Sequence, residues 1–168
     1  MKTKQITRLA LLSAIALTIF MVEAQIPALV PIPGIKLGLA NIITVFTVFV
    51  IGAKEGVLVL FVRIFLGAVF AGNFSTILYS AAGGTLAILT TIGMKKLLKK
   101  NQLCIAGTLG AIAHSIGQMI VAVWVTGTPS IAVYLPIMVA VSILTGSFTG
   151  LSAQFLVNRG KLWKTIFR

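Results

Sequence analysis

Acidic residues are nearly missing from this chain. Across 168 residues only Glu23 and Glu55 oppose 14 Lys and Arg. Two carboxylates in separate segments cannot build an aspartate-rich diphosphate–magnesium site. Cysteine occurs once, as Cys104. That excludes an intrachain disulfide and any cysteine-based zinc or iron–sulfur centre, and leaves the expectation of a small buried apolar residue. Histidine also occurs once, as His114, so no conventional histidine or cysteine pair exists to ligate haem or a metal. No G-x-x-x-x-G-K-[ST] is present, which excludes ATP hydrolysis through a P-loop. Charged residues of both signs make up 10% of the chain, against about 25% in a soluble domain that must face water.

What is abundant is apolar. Hydrophobic residues reach 58% and the mean hydropathy is +1.10. Lipid is the better solvent for such a surface. The length fits one integral membrane domain over residues 1–168. Six spans of about 20 residues leave room only for short loops, and none for a large extramembrane catalytic domain. Apolar runs fall at residues 9–22, 37–53, 56–72, 77–94, 103–125 and 131–157. The segment 23–36 carries Pro27, Pro31 and Pro33 and reads as an irregular loop. Lys54-Glu55, residues 73–76 and residues 126–130 read as turns, and Lys95, Lys96, Lys99 and Lys100 as a basic hinge.

The cations mark the orientation. With the amino terminus inside, the inner segments hold Lys2, Lys4, Arg8, Lys54, the four hinge lysines, and Arg159, Lys161, Lys164 and Arg168 of the tail. Only Lys36 falls in an outer loop, and only Arg63 inside a span. Cytoplasmic loops are enriched in Lys and Arg, so this alternation predicts an all-α bundle of six transmembrane helices across a cytoplasmic membrane, with both termini cytoplasmic. Basic residues distributed in this way set topology, and nucleic acid is not an expected partner. One alternative concerns the first run. Three cations, an apolar stretch and Val22-Glu23-Ala24 also fit a signal peptide cleaved after Ala24, which would leave five spans.

Small residues recur at helical spacing. Gly146 and Gly150 form a GxxxG, Gly107 and Ala111 repeat the spacing, Gly83-Gly84 lies within the fourth run, and Ala10 and Ala14 share a face of the first. Small residues let helix backbones approach closely in lipid. Intrachain packing explains most of these. Docking of a partner is the alternative, best suited to Ala10 and Ala14.

Arg63 is the most informative residue. A central arginine costs about 2.5–3.5 kcal/mol on insertion scales, so an acid, a water-filled cavity or an anionic ligand must offset it. Pairing with Glu23, or snorkelling, is one reading; an anion or polar headgroup held within the bundle is the other. His114 and Gln118 share one face of the fifth run. They and Asn41 are either interhelical hydrogen-bond partners or ligand contacts. Gln25 and Lys36 lie in the outer loop, where they could cap a cavity; Asn73 and Tyr79 border the same side. With Arg63 this makes an electropositive outer half, suited to an anionic or carbonyl-bearing small molecule.

These residues also carry a resemblance. Pro33-Gly34-Ile35-Lys36-Leu37-Gly38-Leu39-Ala40-Asn41-Ile42 resembles the signature of the Gx transporter family, also called heptaprenyl diphosphate synthase component I. So do Arg63 with Leu66-Gly67, Gly72-Asn73-Phe74-Ser75 with Ser80 and Gly83-Gly84, and Ala113-His114 with Gly117-Gln118. That family resembles the substrate-binding S components of energy-coupling-factor transporters. The resemblance implies six membrane helices, with Ala10 and Ala14 docking on a transmembrane coupling subunit whose ATPases act in trans. It also implies a ligand site toward the outer face beneath the first external loop, with Arg63, Lys36, Asn41, His114, Gln118 and Glu23 as its residues. Some relatives resemble membrane subunits of flavin-based extracellular electron transfer, which would imply quinone or flavin contact and a redox partner with an extracellular domain. A third implication is an accessory role in heptaprenyl diphosphate synthesis, without catalysis by this chain. The leading expectation is a small-molecule binding and transport subunit, not an enzyme.

Overall fold

A computed structural model describes residues 3–26, 36–72, 75–99 and 101–159. The proline-rich segment 27–35, Asn73, Lys2, Lys100 and the tail cations Lys161, Lys164 and Arg168 lie outside the described residues. Six α-helices follow one another: α1 (Thr3–Glu23), α2 (Asn41–Val50), α3 (Ala53–Ala71), α4 (Ser75–Leu97), α5 (Leu103–Thr126) and α6 (Leu135–Asn158), the last entered through a 3-10 turn at Pro129–Tyr134. No strand occurs among the described residues. The molecule is an all-α helical bundle.

The helices are dressed for lipid. On α3, Leu58, Phe61, Phe65 and Val69 stand exposed at helical spacing, while Gly56, Val59, Leu60, Arg63, Ile64 and Gly67 face inward. On α6, Leu144, Phe148, Leu151 and Phe155 are exposed. Bulky apolar side chains along whole outer faces match a hydrocarbon surround. Four helical elements are long and apolar enough to cross a bilayer: Thr3–Glu23, Thr76–Leu97, Leu103–Thr126 and Pro129–Asn158. The chain is therefore a multi-pass membrane protein. α3 has 19 residues and carries Lys54, Glu55 and Arg63 within them.

The second apolar run departs from expectation. Residues 37–53 read as a span, but only ten residues, Asn41–Val50, form α2. Ten residues rise about 15 Å, half of a hydrocarbon core of about 30 Å. Gly38 takes φ +80, a left-handed conformation, and the chain turns through Gly38–Ala40 before the helix begins. At the other end the Ile51 and Gly52 amides both return to the Thr47 carbonyl, and Lys95 Nζ donates to the Val48 carbonyl at 2.5 Å. A cation on the free carbonyls of a helix end is favourable. α2 is nevertheless the hub. It packs against every other α-helix, with Val45, Phe46, Thr47 and Val48 fully enclosed.

Small residues set the helix spacing. A Cβ at Gly107 would stand 2.6 Å from Gly150 Cα and from the Gly146 carbonyl oxygen, and one at Gly146 would stand 2.7 Å from Ala111 Cβ. The Gly107/Ala111 and Gly146/Gly150 pairs are thus the α5–α6 contact itself, joined by Thr108–Ser147 and Ser115–Ser142 hydroxyl bonds at 3.1 and 2.5 Å. Ala10 and Ala14, by contrast, are exposed on α1.

Three hydrogen bonds gather the basic helix ends at one pole. Gln5 Nε2 donates to Glu55 Oε1 at 3.1 Å, Lys95 reaches α2, and the Leu103 amide donates to Gln154 Oε1 at 3.0 Å. Glu23, the end of α1, belongs to the opposite pole.

Candidate functional site

The non-helical stretch at 36–38 has backbone groups that no helix satisfies. Such backbone persists within a membrane protein only where other protein groups or a cavity satisfy it. Two side chains do so here. Glu23, at the last turn of α1, accepts the Gly38 amide on Oε1 at 2.5 Å. Gln118 of α5, with its amide oriented so that oxygen faces donors, accepts the Lys36 amide at 3.1 Å and donates to the Lys36 carbonyl at 3.2 Å. The same oxygen accepts His114 Nε2 at 3.2 Å. That amide orientation is assigned from the hydrogen-bond network.

Around this stretch the structure brings together all six expected site residues. Phe20, one turn before Glu23, is a shared platform. Lys36 Nζ sits 3.8 Å from its ring centroid and Arg63 Cζ 5.6 Å, both within the range of a cation–π attraction. Gly67 makes room for that ring, since a Cβ there would lie 2.7 Å from Phe20 Cε1. Arg63 is 3% exposed. It feels the Glu23 carboxylate as its opposing charge, as does Lys36, yet its Nε and Nη2 have no hydrogen-bond partner. Asn41 and His114 flank Gly38: a Cβ there would be 3.0 Å from Asn41 Nδ2 and 3.4 Å from His114 Cδ2. α4 approaches α5 closely enough to hold His114 in place because position 83 is glycine. A Cβ at Gly83 would meet the His114 carbonyl at 2.9 Å and Gln118 Cγ at 3.0 Å.

One observation sets this cluster apart. Among the described residues, the buried side-chain nitrogens and oxygens without a hydrogen bond are Glu23 Oε2, both amide atoms of Asn41, Thr44 Oγ1, Arg63 Nε and Nη2, and His114 Nδ1. Five residues on α1, α2, α3 and α5 supply them all. Each such atom costs about 1–3 kcal/mol when left dry. Seven of them would consume most of a typical folding free energy of about 5–15 kcal/mol. The arrangement is a buried polar cluster with hydrogen-bonding capacity left unused.

Sequence reasoning missed Phe20 and Thr44. Both carried a signal: Phe20 is three residues before Glu23, and Thr44 three after Asn41, so each shares a helix face with an expected residue. Lys36, in the non-helical stretch, is half-buried over Phe20. Gln25 is exposed and turns back to its own helix, donating to the Met21 carbonyl at 3.5 Å. Tyr79 is buried with Met119, Ala122 and Met138, away from this cluster.

A separate hollow of about 300 Å³ opens at the basic pole, lined by Lys4, Gln5, Arg8, Leu9, Ile51 and Glu55. Its one acid is already bonded to Gln5, and none of the unpartnered buried atoms lies there. No group of three or more His, Cys, Asp or Glu that could hold a metal occurs among the described residues.

Residues 12–156 match the model of one protein family, described as heptaprenyl diphosphate synthase component I. No curated protein and no solved structure matches the chain.

Proposed function

Because the chain belongs to the heptaprenyl diphosphate synthase component I family, and because its unpartnered buried polar atoms fall on five residues of four helices, we propose that it is the small-molecule-binding subunit of a membrane transport system, similar to an energy-coupling-factor S component. The observation that carries this reading is that buried polar cluster, which we read as a ligand chamber. A purely structural polar network would close its own hydrogen bonds, since half-satisfied networks weaken a fold. Arg63, Lys36, Asn41, His114, Gln118 and Glu23 are its ligand-binding residues, with Phe20 and Thr44 added.

In this reading α1 does two jobs. Its inner face supplies Leu9, Leu12, Ala16, Phe20 and Glu23 to the core and the site; cleavage after Ala24 would remove both Phe20 and Glu23. Its outer face presents Ala10 and Ala14, small enough for a coupling subunit to approach. The chain has no ATPase motif of its own, so energy comes from ATPases in trans.

The family description names a synthase component. Catalysis of prenyl transfer by this chain is disfavoured by where its two acids lie. Glu55 is bonded to Gln5, and Gln5 and Glu23 are separated by 18 residues of one helix, about 27 Å. They cannot close on one magnesium–diphosphate.

The test is copurification. Extracted in mild detergent from its own membranes, the tagged protein is expected to bring down a transmembrane subunit and ATPases. A10L/A14L is expected to accumulate normally and lose them. Recovery of a prenyl synthase or a flavoprotein in their place, or a copurified quinone or flavin, would overturn the transport reading.

A further inference from the structure

The chamber's charges and unpaired atoms specify the chemistry of what fills it. The inference rests on the reading of the chamber as a ligand site. Lys36 and Arg63 bring two positive charges to the ring of Phe20. Arg63 acts on Lys36 as a like charge, and Glu23 is the opposing charge to both. With the His114 imidazole counted as neutral, the chamber carries one uncompensated positive charge. With Arg63 buried and Lys36 half-buried, that imbalance is costly, and a ligand bearing one negative charge removes it. A zwitterion or a neutral molecule leaves it in place. A dianion reverses it.

The free atoms add shape to the charge. Arg63 Nε and Nη2 lie on one edge of a planar guanidinium, and both are without partners. That edge offers two parallel N–H donors, the fork that meets the two coplanar oxygens of a carboxylate. Glu23 Oε2 is an acceptor with no donor, Asn41 and Thr44 have both kinds of capacity unused, and His114 Nδ1, with Nε2–H given to Gln118, is an unused acceptor. A fatty acid would leave all of these dry. We infer that the ligand is a small polar monocarboxylate, seated by its carboxylate on the Nε–Nη2 edge of Arg63 and carrying at least one hydroxyl or N–H group toward Glu23 Oε2.

Six probes separate this from the alternatives: lactate, propionate (no hydroxyl), lactamide (no charge), alanine (zwitterion), malate (dianion) and dimethyl phosphate, the tetrahedral analogue of an anionic lipid headgroup. Each is added at equal millimolar concentration to the detergent-solubilised protein, and thermal unfolding is followed. Lactate is expected to raise Tm most, by about 2–4 °C at concentrations well above its Kd. Propionate should follow, and the other four should give little. The charge count makes a second, sharper demand. Glu23→Gln keeps an oxygen for the Gly38 amide but adds one net positive charge, so the preference should pass from lactate to malate. If that variant does not fold, Lys36→Met lowers the net charge by one, and the preference should pass to lactamide. Equal or greater shifts from malate, alanine, lactamide or dimethyl phosphate in the unmodified protein would overturn the monocarboxylate and leave a ligand site of another class. A Tm unmoved by all six would overturn the ligand site as well. An unchanged order of preference in the charge variants would overturn the charge argument.

Discussion

The Gly38 amide donates to Glu23 Oε1 at 2.5 Å, and this bond joins the end of α1 to the non-helical turn that leads into α2. It places a carboxylate inside the bundle with one oxygen spent on backbone and the other unpartnered. The same residue is the counter-charge to Lys36 and Arg63. One side chain therefore supports the interrupted backbone, the two cations and the chamber.

Glu23→Ala should accordingly be among the most damaging single changes. It removes the partner of a buried amide and leaves buried Arg63 and half-buried Lys36 without an opposing charge. Breaking a buried charged pair costs about 3–5 kcal/mol. Glu23→Gln removes the same charge but keeps an acceptor for the Gly38 amide, so it should cost less than Glu23→Ala by about 1–3 kcal/mol, the penalty of leaving that buried amide unpaired. Thermal or denaturant unfolding in detergent measures both; equal losses in the two variants would show that the hydrogen bond to Gly38 contributes nothing.

Gly38→Ala tests the turn that precedes α2. The backbone there has φ +80, which costs an L-residue about 1–2 kcal/mol. The new Cβ would also stand 3.0 Å from Asn41 Nδ2 and so displace a chamber residue. Both unfolding stability and probe binding should fall. A variant with unchanged stability would contradict the left-handed geometry.

Helix glycines should divide sharply by position. A Cβ at Gly107 would meet backbone atoms of α6 at 2.6 Å, and backbone cannot turn aside as a side chain can. Gly107→Ala should destabilise by about 1–3 kcal/mol through overpacking. A Cβ at Gly93 on α4 meets nothing within 4 Å, so Gly93→Ala should be neutral or stabilising by about 0.5–1 kcal/mol. Parallel unfolding curves of the two variants decide it.

Orientation can be read by cysteine labelling, because Cys104 is the one native thiol. In a Cys104→Ser background, Gln25→Cys and Lys96→Cys place exposed thiols at opposite poles. A membrane-impermeant maleimide should label the first in intact cells and the second only after permeabilisation. The reverse pattern would put the basic pole outside and overturn the assignment of both termini to the cytoplasm.

How much of this was legible beforehand varies with the kind of signal. The helices and their order followed from runs of apolar residues, because lipid demands an apolar surface over a fixed thickness. Arg63 faces inward, which was one of the outcomes open to a charge in an apolar run, while Phe61 and Phe65 take the lipid side. The shortness of α2 was not legible. Residues 37–53 are as apolar as any other run, and the interruption depends on Gly38 being held in a left-handed turn by Glu23, 15 residues away in sequence. Phe20 looked like one more apolar core residue until two cations were placed over it.

The sequence alone thus determined the solvent, the number of helices and the pole at which the cations gather, since these depend on composition and on distance along the chain. Only the tertiary structure decided that α2 is short, and that five side chains from four helices leave buried polar atoms unpaired. The physical reason is that hydropathy is a property of each residue taken singly. The satisfaction of a hydrogen bond belongs to a pair, and which pairs meet is settled when the helices pack.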